Sequence, residues 1–112
     1  GHLKGDEVLR TFAVIIDECI RETDLAARYG GEEFGIIFPE TDTRHAQIAL
    51  ERIRQRLASV QFESACGKFN VTFSAGITSF TPVYTNSEEM IQTADKAMYI
   101  SKSTGRDIVT VL

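Results

Sequence analysis

Two adjacent glycines, Gly30 and Gly31, mark the stretch that most constrains how this chain can fold. They separate residues 25–27 from the apolar run at residues 34–38, and both flanking segments suit short strands. Tight turns between antiparallel strands require positive φ, which glycine reaches without steric cost. The pattern therefore predicts a β-hairpin with the two glycines at its turn.

Two acidic residues, Glu32 and Glu33, follow the glycines directly. A turn without Cβ atoms lets a triphosphate come close to the backbone, and carboxylate oxygens beside it are suitable ligands for a hard cation such as Mg²⁺. Many Gly-Gly pairs serve only as turns, so a purely structural role is the alternative at this point. The carboxylates favour a nucleotide and metal site.

Composition excludes several classes of protein. The chain has 112 residues, of which 43% are hydrophobic and 25% charged, as is ordinary for one globular domain. No apolar run approaches the roughly 18 residues of a membrane span, and no signal-peptide pattern opens the chain. We therefore expect a cytoplasmic domain without membrane contact, although a full-length protein could be anchored through an N-terminal region absent from this chain. The net charge of −4 argues against a nucleic-acid-binding surface.

Cysteine and histidine usage points to no further site. Cys19 and Cys66 have neither CxxC spacing nor the arrangement of a disulfide framework, which predicts reduced thiols. His2 and His45 lack the spacing of metal ligands.

Apolar residues at three- and four-residue spacing predict three amphipathic helices. The expected buried faces are Val8, Leu9, Phe12, Ile15, Ile16, Cys19 and Ile20; Ala46, Ala49, Leu50, Ile53, Leu57 and Val60; and Met90, Ile91, Ala94, Ala97, Met98 and Ser101. Asp6 is predicted at or near the start of the first helix. Asp42 or Thr43 is expected to cap the second helix, and Asn86 or Ser87 the third, with Glu89 in a capping box.

Alternating apolar and polar residues at 69–78 predict the longest strand, with one face buried. Shorter strands are predicted near residues 61–63 and at residues 108–111. Together with the hairpin and the helices, these elements predict an α/β fold.

Three groups of polar residues each allow a structural or a functional interpretation. Arg21 and Asp24 can form a surface ion pair, and Asp6 can stabilise the N-terminus of a helix. Lys102 and Arg106, on either side of Gly105, suit the C-terminal end of a helix. These structural roles do not exclude binding of a ligand.

Residues 30–34, Gly-Gly-Glu-Glu-Phe, resemble the signature of the GGDEF family, the diguanylate cyclases. The segment Gly1-His2-x-x-Gly5-Asp6 and the strand at residues 71–77 resemble further motifs of that family. The resemblance implies a ferredoxin-like palm, similar to nucleotidyl cyclases, with helices packed on a mixed, mainly antiparallel sheet. It also implies that two GTP are condensed into cyclic di-GMP and pyrophosphate, with Mg²⁺ or Mn²⁺, where two GGDEF domains face each other in a homodimer.

The resemblance also assigns roles to individual residues. Glu32 would be a metal ligand and possible general base, with Glu33 as the second carboxylate of the metal site. Gly30 and Gly31 would admit the nucleotide phosphates. Asp6 would read the guanine, whereas Lys102 and Arg106 would hold the β- and γ-phosphates of GTP.

A separate inhibitory site follows from the family's Arg-x-x-Asp motif. Arg21 and Asp24 match it, and Arg52 resembles the secondary arginine of that site. The planar guanidinium of arginine can pair with a phosphate or a guanine edge in bidentate fashion. The resemblance thus implies that the product, cyclic di-GMP, binds here and inhibits the enzyme.

The family's domain begins with a strand that carries a metal-binding aspartate and with a helix that carries a Phe-Lys-x-x-Asn-Asp segment. Neither is present in this chain, so residues 1–112 are expected to be a single, N-terminally truncated GGDEF domain. Its strands would have unpaired edges, and the chain alone would be inactive unless another chain supplied the strand, as in a swapped dimer. The alternatives are a non-catalytic module that binds cyclic di-GMP and a GTP-binding regulatory domain that acts on a phosphodiesterase partner.

Overall fold

The structure is a computed structural model that describes residues 2–112, with side chains from residue 5 onward. It contains three helices, α1 (His2–Cys19), α2 (Thr43–Ser59) and α3 (Ser87–Ser103). The six strands are β1 (Leu25–Gly30), β2 (Glu33–Ile37), β3 (Phe62–Ser64), β4 (Gly67–Phe69), β5 (Ala75–Ile77) and β6 (Val109–Val111). No helix of the described residues is both long and apolar enough to cross a membrane.

The strands pair in three separate ladders. β1 pairs with β2 and β3 pairs with β4, both antiparallel, whereas β5 and β6 are parallel. The predicted α/β class and the mixed, mainly antiparallel pairing are confirmed. Within residues 2–112, however, each sheet has only two strands, so the described part of the chain does not form one continuous sheet.

The long strand predicted at residues 69–78 is therefore interrupted. Only its two ends are paired, at Phe69 in β4 and at residues 75–77 in β5. Burial still alternates between them, since Val71 and Phe73 are half-buried and Thr72 is exposed. An alternating pattern reports which face is covered, but a ladder also requires a neighbouring strand. No strand of the described chain pairs with residues 70–74.

The chain divides into two compact units. The first contains the residues up to Thr41 together with Glu51–Val71. Its buried hydrophobic residues include Ile15, Ile16, Cys19, Ile53, Leu57 and Phe62. The rings of Phe12 in α1 and Phe34 in β2 meet edge to face, with centroids 5.0 Å apart. This aromatic contact packs α1 against the hairpin.

The second unit contains Asp42–Leu50 and Thr72–Leu112. Here α3 lies directly on β5, because a Cβ atom at Gly76 would be 2.2 Å from the Ala94 carbonyl oxygen and 2.3 Å from the Met98 nitrogen. The hydroxyl of Ser101, which is fully buried, donates to the Ala75 carbonyl oxygen at 2.9 Å. Ser101 and Thr110 also share a hydroxyl hydrogen bond of 2.6 Å, which connects α3 to β6.

The buried faces predicted for the helices are largely confirmed, with one exception. Ile91 is 40% exposed, although it was predicted on the inner face of α3. It lies one turn N-terminal to Ala94, beyond the part of the helix that the backbone of Gly76 approaches.

Two of the predicted helix caps are confirmed. The Asp42 carboxylate accepts from the His45 nitrogen at 2.8 Å, and the Asn86 side chain accepts from the Glu89 nitrogen at 3.0 Å. The Glu89 carboxylate accepts from the nitrogen and the hydroxyl of Thr85, one residue before the position that a capping box uses.

Asp6 was predicted at or near the start of α1. Because α1 already begins at His2, Asp6 lies in the second turn and not at the helix start.

Candidate functional site

The turn of the hairpin consists of Gly31 and Glu32. Gly30 pairs with Glu33, so Gly30 is the last residue of β1 and only Gly31 has positive φ, at 53°. The prediction that both glycines form the turn was therefore wrong for Gly30. An added Cβ at either glycine would have no atom within 4 Å. At Gly30 neither φ nor packing requires glycine, and the space above the backbone is open to a ligand.

The side chain of Arg28, in β1, stabilises this turn. The register of the hairpin shifts between Arg28 and Gly30, which leaves Tyr29 outside the regular pairing. The Arg28 Nε donates to the Gly31 carbonyl oxygen at 2.7 Å. Sequence reasoning did not select Arg28, although an arginine two residues before a glycine turn next to carboxylates is a recognisable signal.

The two carboxylates belong to consecutive residues, at the point where the turn passes into β2. Glu32 belongs to the turn and is exposed, whereas Glu33 begins β2 and is half-buried. In the part of the chain that the structure describes, no group of three or more histidine, cysteine, aspartate or glutamate residues is placed to hold a metal ion. These two oxygen donors are the candidate metal ligands that the hairpin offers.

Asp6 lines a cleft between α1 and the hairpin. The cleft has a volume of about 550 Å³, with apolar walls that include Leu9, Ile16 and Phe34. Its charged side chains include Asp6 and Arg28, and Arg28 also holds the turn. Asp6, the carboxylate predicted to recognise a base, therefore lines the same cleft as Arg28, which supports the glycine turn.

Arg21 and Asp24 form a hydrogen-bonded ion pair just before β1. Arg21 donates to the Asp24 carboxylate from its backbone nitrogen at 2.8 Å, from Nε at 3.3 Å and from Nη2 at 3.0 Å. Nη2 also donates to the Pro39 carbonyl oxygen at 3.1 Å and to the Thr41 hydroxyl at 2.7 Å. The structure thus brings together the predicted pair and adds Pro39 and Thr41, which no local sequence pattern indicated.

Burial and charge distinguish this pair from an ordinary surface ion pair. The Asp24 side chain is 2% exposed, whereas the Arg21 side chain is 58% exposed. Hydrogen bonds from the Arg21 side chain lower the pKa of Asp24, and the same contact raises the pKa of Arg21. Both groups therefore remain charged, and the arginine is the member that a ligand can reach.

Arg52 lies at an exposed position of α2. Within residues 2–112 it makes no hydrogen bond to Arg21 or Asp24, so its predicted part in the same site stays a prediction. The neighbouring Arg56 instead pairs with Glu18 at 3.0 Å.

Lys102 and Arg106 lie in the second unit, on either side of the C-terminal end of α3. Thr104 is the C-cap and Gly105 follows with φ of 136°. The Arg106 nitrogen donates to the Ser101 carbonyl oxygen at 3.0 Å, which matches the 6→1 hydrogen bond of a Schellman motif. The structural role foreseen for this segment is present, and two cations flank the helix end.

Comparisons with known proteins show the family of the chain. The family described as "Diguanylate cyclase, GGDEF domain" matches residues 1–108. Diguanylate cyclase A of Treponema denticola is 40% identical over 99% of this chain, and the chain spans 30% of that relative's length.

Two solved structures have the same fold. The GGDEF domain of DgcB from Caulobacter crescentus, in complex with c-di-GMP, superposes with a TM-score of 0.92 at 34% identity, covering 99% of this chain and 66% of that one. The active GGEEF domain of a diguanylate cyclase from Vibrio cholerae has a TM-score of 0.90 at 32% identity, covering 99% and 70%. The ferredoxin-like palm expected from the resemblance is thereby confirmed. The chain belongs to the GGDEF domain family of the diguanylate cyclases.

Proposed function

We propose that the protein containing this chain condenses two GTP into cyclic di-GMP and two pyrophosphates. The main support is the end of the hairpin at Gly30 and Gly31, where open space above the backbone adjoins the carboxylates of Glu32 and Glu33. A GGEEF domain with 32% identity is described as active, so the glutamate at the third position is compatible with catalysis. The chain covers only part of its relatives, and the activity is therefore proposed for the protein that contains it.

The donor set at the turn fits a magnesium or manganese ion. Mg²⁺ in nucleotide enzymes is usually held by one or two carboxylates and by phosphate oxygens and water. Glu32 and Glu33 would supply the carboxylates, and the open space above the glycines leaves room for phosphates. When bound, such an ion neutralises charge on the phosphates and lowers the pKa of an attacking hydroxyl.

The remaining residues would bind and orient the nucleotide. The Asp6 carboxylate in the cleft can accept hydrogen bonds from the N–H groups of guanine. Lys102 and Arg106 can neutralise the β- and γ-phosphates, and Glu32 can take the proton of the 3′-hydroxyl. Because each 3′-hydroxyl must attack the α-phosphate of the other nucleotide, two such domains would face each other in a homodimer.

Arg21 and Asp24 would form a separate binding site for the product. The similarity to a domain solved with c-di-GMP supports binding of this ligand, and the exposed Arg21 guanidinium offers donors for a phosphate or a guanine edge. Arg52 would provide the second cation. Binding here would inhibit synthesis.

A non-catalytic module that binds cyclic di-GMP is the second candidate function. It is favoured by one observation: within residues 2–112, the hydrogen bonds of the Arg21 side chain go to Asp24, Pro39 and Thr41 and to neither of the turn carboxylates. Product binding does not then require a working metal site.

The substitution Glu33→Ala separates the two functions. If the proposal is correct, GTP turnover falls by on the order of 10²-fold or more, since even residues that only support metal ligands contribute about 10–100-fold. Affinity for cyclic di-GMP, measured by calorimetry, should not change. The matched control is Glu63→Ala, which removes an exposed carboxylate from β3.

Synthesis that persists at the wild-type rate in Glu33→Ala would refute the proposed metal role. A wild-type full-length protein that binds cyclic di-GMP but makes none from GTP would favour the binding module.

A further inference from the structure

The guanidinium of Arg21 is fixed by residues far from it in the chain. Besides Asp24, its Nη2 contacts the Pro39 carbonyl oxygen and the Thr41 hydroxyl, which are 18 and 20 residues away. The Thr41 hydroxyl in turn donates to the Pro39 carbonyl oxygen at 2.9 Å. The Thr41 hydroxyl therefore accepts a hydrogen bond from Nη2 and donates one to the Pro39 carbonyl oxygen, which Nη2 also contacts.

These contacts use only part of the arginine. A guanidinium has five N–H donors, one on Nε and two on each Nη. In the described structure Nε and Nη2 are engaged, whereas Nη1 makes no hydrogen bond to a residue of this chain. The donors that remain for a ligand are the two N–H groups of Nη1.

The Thr41 contact restricts how the arginine can turn. Asp24 alone holds the guanidinium along its Nε–Nη2 edge, on a side chain that is 58% exposed. The Pro39 carbonyl and the Thr41 hydroxyl contact the same Nη2 from another part of the chain. An anchored donor loses less conformational freedom when a ligand binds, which improves affinity.

We propose that Thr41 is a positioning residue of the Arg21 site. Its hydroxyl holds Nη2 against Pro39 and so leaves Nη1 directed to an acceptor on the ligand. This inference rests on the proposed binding of cyclic di-GMP to Arg21.

Calorimetric titration with cyclic di-GMP and three variants of the full-length protein tests the inference. Thr41→Val keeps the shape of the side chain without its hydroxyl, and we expect its Kd to rise about tenfold, which corresponds to the loss of one hydrogen bond to a charged group. Thr41→Ser keeps the hydroxyl and should restore wild-type affinity. Thr72→Val removes an exposed hydroxyl elsewhere and should bind as the wild type does.

A spectroscopic measurement tests the positioning without the ligand. NMR of the ¹⁵N-labelled guanidinium should show slow rotation of the Arg21 Nη2 group in the wild type and in Thr41→Ser. In Thr41→Val the rotation should become fast. A Thr41→Val protein with wild-type affinity and slow rotation would overturn the inference.

The two measurements also separate the inference from the proposed function. If the wild type fails to bind cyclic di-GMP while its rotation is slow and that of Thr41→Val is fast, the proposed ligand is wrong and positioning by Thr41 stands. If the wild type binds and Thr41→Val binds equally well, the ligand is right and the role of Thr41 is wrong.

Discussion

Replacing Gly76 by alanine should destabilise the protein strongly. The added Cβ would lie 2.2 Å from the Ala94 carbonyl oxygen and 2.3 Å from the Met98 nitrogen. Ordinary contacts between such atoms are roughly 3.5 Å, so β5 and α3 would have to separate by about 1 Å. Both obstructing atoms belong to the helix backbone, which cannot move aside as a flexible side chain can.

The expected cost is about 3 kcal/mol, at the upper end of the values for overpacked cores. The separation would also stretch the hydrogen bond from the buried Ser101 hydroxyl to the Ala75 carbonyl, next to the substitution. For a chain of this size, such a loss lowers Tm by roughly 10–20 °C.

The assay is urea denaturation of Gly76→Ala beside Gly35→Ala. Gly35 lies in β2, where an added Cβ meets nothing within 4 Å, so this control should stay within about 0.5 kcal/mol of the wild type. Equal stability of the two variants would refute the close approach of α3 to β5.

Two further predictions concern the sites. Gly30→Ala should leave the free energy of unfolding nearly unchanged, because the position has open space and no positive φ. It should nevertheless lower GTP turnover by on the order of tenfold or more, since a methyl group would enter the space proposed for phosphates; wild-type turnover would contradict that placement. Asp24 has a lowered pKa in the folded state, so its stabilising contribution is present above the ordinary aspartate value of about 3.9 and is lost as the pH falls through the lower folded pKa. The difference in the free energy of unfolding between wild type and Asp24→Asn should accordingly be constant from pH 7 to about 5 and shrink below pH 4. An equal difference at pH 7 and pH 3 would argue against the ion pair.

The sequence by itself determined the features that depend on neighbouring residues. The hairpin, the three helices and the caps at Asp42 and Asn86 all follow from local periodicity and turn chemistry. The glycines and carboxylates at residues 30–33 likewise identified the candidate site, because the motif that they form consists of consecutive residues.

Only the tertiary structure decided which distant groups meet. The alternation at residues 69–78 did not reveal that its middle has no paired strand among the described residues, since a ladder depends on a second segment. The hydroxyl of Thr41 reaches Arg21 across 20 residues, and Gly76 lies against the backbone of α3. Hydrogen bonds and close packing join atoms that are near in space, and a sequence pattern records only which residues are near along the chain.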